Sequence, residues 1–165
     1  MSHPAPLDLY RAAVEPDWID YNGHMNVAYY VLVFDRATDA FLDYLGLDEA
    51  LREATGSSTF SVEAHITYQR EVAQGDPLRF TTQLLGYDRK RIHYLHKMYH
   101  AEEGYLASTV EWMTLHVDLK IRKVAPLPPQ VLARLAEIQA AHAGLEVPAE
   151  VGRVMRRPEP PAQGA

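Results

Sequence analysis

Between residues 17 and 46 the chain reads DWIDYNGHMNVAYYVLVFDRATDAFLDYLG, a polar loop running straight into a helix with a wide apolar stripe. Tyr30, Phe34, Ala37, Phe41 and Leu45 recur at spacings of four, three, four and four, the period of one helix face. Such a stripe has to be buried along its length, so the rest of the chain must supply a surface to receive it. What surrounds it reads as strand. A first run covers 7–15, and four more follow at 60–70, 78–86, 91–101 and 105–118. In the run from Phe60, the residues Phe60, Val62, Ala64, Ile66 and Tyr68 alternate with Ser61, Glu63, His65, Thr67 and Gln69, as on a pleated strand. Leu78, Phe80, Thr82 and Leu84 share a face of the next. Turns at Gln74-Gly75-Asp76-Pro77, Asp88-Arg89-Lys90 and Glu102-Glu103-Gly104 keep the links short, which predicts an antiparallel meander. A short helix is predicted over 48–54. A second clear helix, 129–143, carries a stripe of Val131, Leu132, Leu135 and Ile138. One long helix beside a five-stranded antiparallel sheet, with a C-terminal helix, is an α+β domain.

At 165 residues with 47% hydrophobic content, one domain with a core of ordinary size is expected. It is placed at 1–147, with 148–165 as a Pro-rich C-terminal tail whose last ten or so residues are read as mobile. No apolar run approaches the ~18 residues needed to cross a membrane, and the N-terminus has no secretory pattern. The chain has no cysteine, which removes disulfides, thiol nucleophiles and thiolate metal sites and fits the cytoplasm. A formal net charge of −6 argues against nucleic acid as a partner. Five histidines, His65, His93, His96, His100 and His116, fall in strands; none pairs at ligand spacing, so they read as polar-face or interface residues and no metal is expected.

Asn26 is the expected N-cap of the long helix, so Asp20, Asn22 and His24 stand just ahead of a helix N-terminus. Unpaired N–H groups and the positive end of the helix dipole suit a carbonyl oxygen that gains negative charge. Gly23 leaves room for a substrate to approach the backbone. The same residues also serve a simple polar turn that caps a helix. On residue types alone both readings stay open.

The run D-x-N-G-H-x-N-x-x-Y followed by an amphipathic helix resembles the active-site signature of hot-dog-fold thioesterases, the group of the 4-hydroxybenzoyl-CoA and plant acyl-ACP thioesterases. The resemblance covers roughly 7–147. It implies that the sheet wraps the long helix in the hot-dog manner. It also implies that protomers pair into a homodimer or homotetramer with active sites at the interface. The implied reaction is hydrolysis of an acyl-CoA, with coenzyme A as part of the substrate and no other cofactor. Residue by residue, the resemblance gives Asp20 as general base or nucleophile, Asn22 as the group positioning water or carbonyl, and His24 as the proton carrier. The N–H groups of Met25, Asn26 and Val27 then face the thioester oxygen, with Ala28 beside them. Rival carboxylates are Asp35, Asp39, Glu63 and Glu71.

WIDYNGHMN, FSVEAHITYQREVAQGD, LLGYDRKRIHYLHKMYHAEEG and PPQVLARLAEIQAAHAG are similar to the thioesterases of carnitine and glycine-betaine metabolism, which cleave betainyl-CoA. A trimethylammonium group needs aromatic faces and a countercharge. Tyr29, Tyr30, Tyr68, Tyr94 and Trp112 offer the faces, and Glu63 the charge. Arg89, Lys90 and Arg91 in one turn are candidates for the CoA phosphates; Arg122 and Lys123, and Arg153, Arg156 and Arg157, are further basic groups. Two other readings follow from the fold: a non-catalytic acyl-CoA-binding module, and a dehydratase or hydratase, whose motif fits the loop poorly. A thioesterase for another short-chain, aromatic or fatty acyl group, on CoA or acyl carrier protein, is the nearer alternative.

Overall fold

A computed structural model describes residues 3–161. Asn26 caps helix α1 (Val27–Leu45): its backbone is extended and its side chain accepts the Ala28 N–H. Gly46, at φ 84°, ends the helix in the left-handed conformation that glycine adopts without steric cost. All five residues of the predicted stripe are buried, with Val33, Thr38 and Leu42 beside them. Phe34 and Phe41 have no exposed surface, and each contributes roughly 1.5–3 kcal/mol by leaving water. Asp48 then caps a short helix α2 (Glu49–Thr55).

The strands are β1 (Leu7–Ala13), β2 (Ser57–Tyr68), β3 (Pro77–Tyr87), β4 (Arg91–His100), β5 (Leu106–Asp118) and a two-residue β6 (Lys123–Val124). Five long strands were expected; the sixth is only a short addition paired to β5. The order is β1-β3-β4-β5-β2, antiparallel throughout. A simple meander therefore holds only for β3, β4 and β5. β2 lies on the far side of β5, so the link over 69–76 carries the chain from that sheet edge across to β3, the strand next to the other edge. Link length alone did not reveal this, because eight residues serve a crossing over the end of α1 as well as a turn between neighbours. The link also feeds the site: Met25 donates its N–H to Val72 O at 2.9 Å.

Along β3, Leu78, Phe80, Thr82 and Leu84 are buried, as the alternation required. α1 lies against this inner face. α3 (Pro129–His142) closes the end of the core, with Val131, Leu135 and Ile138 packed among Phe41, Leu45, Leu84 and Tyr94. On the outer face, residues beyond α3 lie over the sheet: Gln83 donates to Glu146 O, Gln69 to Glu150, and the Gly152 N–H to Glu111. Residues 162–165 of the Pro-rich tail lie outside the described residues.

Candidate active site

The loop before α1 is held at both ends by backbone bonds. Ile19 and Met25 form an isolated antiparallel bridge, and Asn26 donates its N–H to Trp18 O at 2.9 Å. Between them Asp20 closes a turn. Its carbonyl accepts the Gly23 N–H at 3.0 Å, and its Oδ1 accepts the Asn22 N–H at 2.8 Å. Gly23 sits at φ 82°, so turn geometry is the reason for glycine here. The second carboxylate oxygen of Asp20 accepts the side-chain amide of Asn26 at 3.3 Å. Asp20 is half-buried, whereas the Asn22 side chain lies exposed at the tip of the turn.

Of the backbone donors expected to face an oxyanion, the Met25 and Asn26 N–H groups are taken up by Val72 O and Trp18 O. The Ala28 N–H is held by Asn26 Oδ1 at 3.0 Å. That leaves the Val27 N–H, at the first helical position, as the open donor among the described residues of this stretch.

Beside Val27 opens a cleft of about 190 Å³ lined by His24, Met25, Val27, Tyr30, Tyr68, Gln69, Arg70 and Glu71. His24 Nε2 stands 3.5 Å from Glu71 Oε2. Tyr30 and Tyr68 meet edge to face at 5.2 Å and 88°. Burial raises the Tyr30 phenol to about 12, so it stays neutral. The Tyr68 hydroxyl reaches Val27 O at 3.5 Å. Tyr29 is elsewhere: it stacks on Trp18 at 5.7 Å, on the flank of the helix. Tyr94 is wholly buried against Phe41, and Trp112 packs into the same interior.

Glu63 lies apart from this cleft. It pairs with Met113 across the sheet, and His65 pairs with Glu111, so both share the outer face on which Gly152 rests. Ile66 packs into the interior and Tyr68 against Tyr30, which puts them on the opposite face of the same strand. Glu63 is also exposed, so the sequence argument from a buried carboxylate does not hold. Glu71, one of the rival carboxylates, is the carboxylate that lines the cleft. Alternation could not find it, because it belongs to the link that follows β2. Asp35 and Asp39 are exposed on α1. Burial raises Asp39 first, and neighbouring Asp35 adds to this.

Arg89, Lys90 and Arg91 form an exposed turn organised by Asp88, which accepts the N–H groups of Lys90 and Arg91 at 2.8 Å. Arg91 pairs with Leu115 of β5, whereas Tyr68 pairs with Ser108, seven residues away along that strand. At ~3.3 Å per residue this turn is roughly 23 Å from the loop of its own chain. His96, read as a polar-face histidine, is instead in the core. It lies between Thr38 and Thr82 at 3.0 and 2.9 Å, and burial lowers it to about 3. Among the described residues no group of three His, Cys, Asp or Glu side chains has metal-binding geometry, and no helix is long and apolar enough to cross a membrane.

A long helix laid in a curled antiparallel sheet, with a carboxylate loop at its N-terminus, is the hot-dog architecture of thioester hydrolases. The chain belongs to the thioesterase-like superfamily, whose profile matches residues 14–135. It is 44% identical over 152 residues to the betainyl-CoA thioesterase of Pseudomonas aeruginosa, covering 92% of this chain and 96% of that protein. A Staphylococcus aureus protein solved in complex with CoA superposes at TM-score 0.87 with 26% identity, covering 96% of this chain and all of that one (100%). A candidate thioesterase from Pseudomonas putida superposes at 0.81 with 36% identity, over 94% and 99% of the two chains. The chain is a thioester hydrolase.

Proposed function

We propose that this enzyme hydrolyses betainyl-CoA to glycine betaine and CoA. The observation that carries the reading is the convergence of three features within a few residues. Asp20 is a carboxylate fixed by two hydrogen bonds, Val27 offers an open N–H at a helix N-terminus, and Val27 and His24 line a cleft with two tyrosines. The 44% identity over almost the full length of a betainyl-CoA thioesterase supports the acyl group.

The thioester oxygen accepts the Val27 N–H, where the dipole favours the negative charge that develops on attack. Asp20 supplies the carboxylate, either taking the proton of an attacking water or attacking the carbonyl carbon itself to give a mixed anhydride that water then hydrolyses. The new C–O bond forms as the C–S bond breaks, and His24, beside Glu71, delivers a proton to the departing thiolate. Asn22 donates its backbone N–H to Asp20 and presents its side chain to the incoming water or carbonyl.

The active form in this reading is a homodimer or a tetramer built from it. β2 is a sheet edge that exposes Phe60, Val62 and Tyr68, an edge that needs a cover. A second copy paired antiparallel along β2 sets its Ser57 end beside Tyr68. That arrangement carries its basic β3–β4 turn, Arg89 to Arg91, toward this chain's loop, where CoA phosphates would lie. The cysteine-free chain fits residence in the cytoplasm.

Thiol release from a panel of betainyl, straight-chain and aromatic acyl-CoA esters tests the reading, with Asp20→Asn as control. Betainyl-CoA is expected to be preferred, and Asp20→Asn is expected to lose about 10²–10⁴-fold in turnover with the fold kept. Preference for another acyl group overturns the betaine. Release from no ester at all favours a binding module or a carrier-protein substrate.

A further inference from the structure

We propose that the cleft bounded by Tyr30, Tyr68 and Glu71 is the subsite for the quaternary ammonium of the acyl group, with Glu71 as its countercharge. The proposal rests on the betainyl-CoA reading and names how that substrate is recognised. In a betainyl thioester a single methylene separates the ammonium nitrogen from the carbonyl carbon. Whatever holds the cation must therefore open directly beside whatever holds the carbonyl. Val27 satisfies both conditions: its N–H is the open donor of the first helical turn, and its side chain lines the cleft. Tyr30, three residues on, shares that helix face.

A trimethylammonium group has no N–H to donate, so it is recognised by aromatic faces and by charge. Tyr30 and Tyr68 stand perpendicular, giving the cleft two ring surfaces of different orientation. Tyr68 is anchored through its hydroxyl to Val27 O. Glu71 is the carboxylate lining this space, and it is 72% exposed, free to turn toward an arriving cation. The cation that also lines the cleft, Arg70, is already engaged by two residues outside the lining. Its guanidinium stands 3.8 Å over the Tyr105 ring and 3.8 Å from Glu103.

The test compares two isosteric substrates, betainyl-CoA and 3,3-dimethylbutanoyl-CoA, in which carbon replaces the ammonium nitrogen. The ratio of their kcat/KM values is measured for the wild type, Glu71→Gln and Tyr68→Leu. The wild type is expected to favour betainyl-CoA, and each variant to lower that ratio by about tenfold or more. Glu71 also neighbours His24, so a role through His24 alone would slow both substrates by the same factor. An equal loss on both substrates, or an unaltered ratio, overturns the proposal. A wild type that cleaves the neutral ester and not betainyl-CoA overturns the substrate reading itself, before any variant is compared.

Discussion

Asn26 donates from its side chain to Asp20 Oδ2 at 3.3 Å while its own Oδ1 accepts the Ala28 N–H at 3.0 Å. One amide thus caps α1 and aims the carboxylate. Asn26→Asp separates the two roles. Aspartate caps a helix as well as asparagine, so thermal stability is expected to change little. It also sets a like charge against Asp20, which raises the pKa of the pair. Turnover near pH 7 is expected to fall about tenfold, with the acid limb of the kcat/KM profile moved to higher pH. A profile that keeps its acid limb in place would remove Asn26 from the positioning of Asp20.

Val27→Pro removes a single hydrogen-bond donor. Proline is favoured at the first helical position, where its fixed φ suits the helix and no helical partner is lost. Asn26 is already extended (φ −66°, ψ 144°), as a residue before proline must be. The fold is therefore expected to persist while turnover drops about 10²–10³-fold, the usual cost of an oxyanion donor. Circular dichroism and thiol release measured on the same sample check this. Retained turnover in a folded variant would show that the carbonyl is held elsewhere.

The helix, the five long strands and the loop ahead of α1 were legible because each rests on local pattern. A stripe at Tyr30, Phe34, Ala37, Phe41 and Leu45 admits one structure, and Asn26 marks its start. The position of β2 was not legible. Pairing across the curl depends on sheet closure, and nothing in the 69–76 link announces a crossing. The separation of Glu63 from the cleft has the same origin. Glu63 and Tyr68 are five residues apart in one strand, which an odd spacing sends to opposite faces, yet both had been drawn toward the substrate. Glu71 could not be singled out from its rivals because a link residue has no face until the link's path is known. The sequence also placed Met25 and Asn26 N–H groups in the site without showing that Val72 O and Trp18 O already hold them.

The outer-face position of Glu63 has its own consequence. Glu63→Gln is expected to leave the ratio of betainyl-CoA to neutral ester turnover within about twofold of the wild type, since surface changes away from a site carry little energy. Its exposed carboxylate shares a face with Glu111, His93 and the segment around Gly152, opposite Tyr68. A large loss of betaine preference in this variant would mean that the acyl group reaches the outer face of the sheet.

Stability should depend on pH through His96, which is held neutral in the core between Thr38 and Thr82. Burial depresses its pKa to about 3 in the folded chain, against ~6.5 in the unfolded chain. Below that unfolded value the unfolded chain takes up a proton that the folded chain refuses. The contribution is therefore complete above about pH 6.5 and is lost as pH falls toward 3, at up to ~1.4 kcal/mol per pH unit. His142 acts in the same direction, lowered first by burial. Urea midpoints between pH 7.5 and 5 read this window before most carboxylates titrate. His96→Gln retains groups that can bond both threonines and has nothing to protonate. Its stability is expected to decline less steeply than the wild type's by one proton's worth. Equal slopes for the two proteins would mean that His96 is already charged in the folded chain.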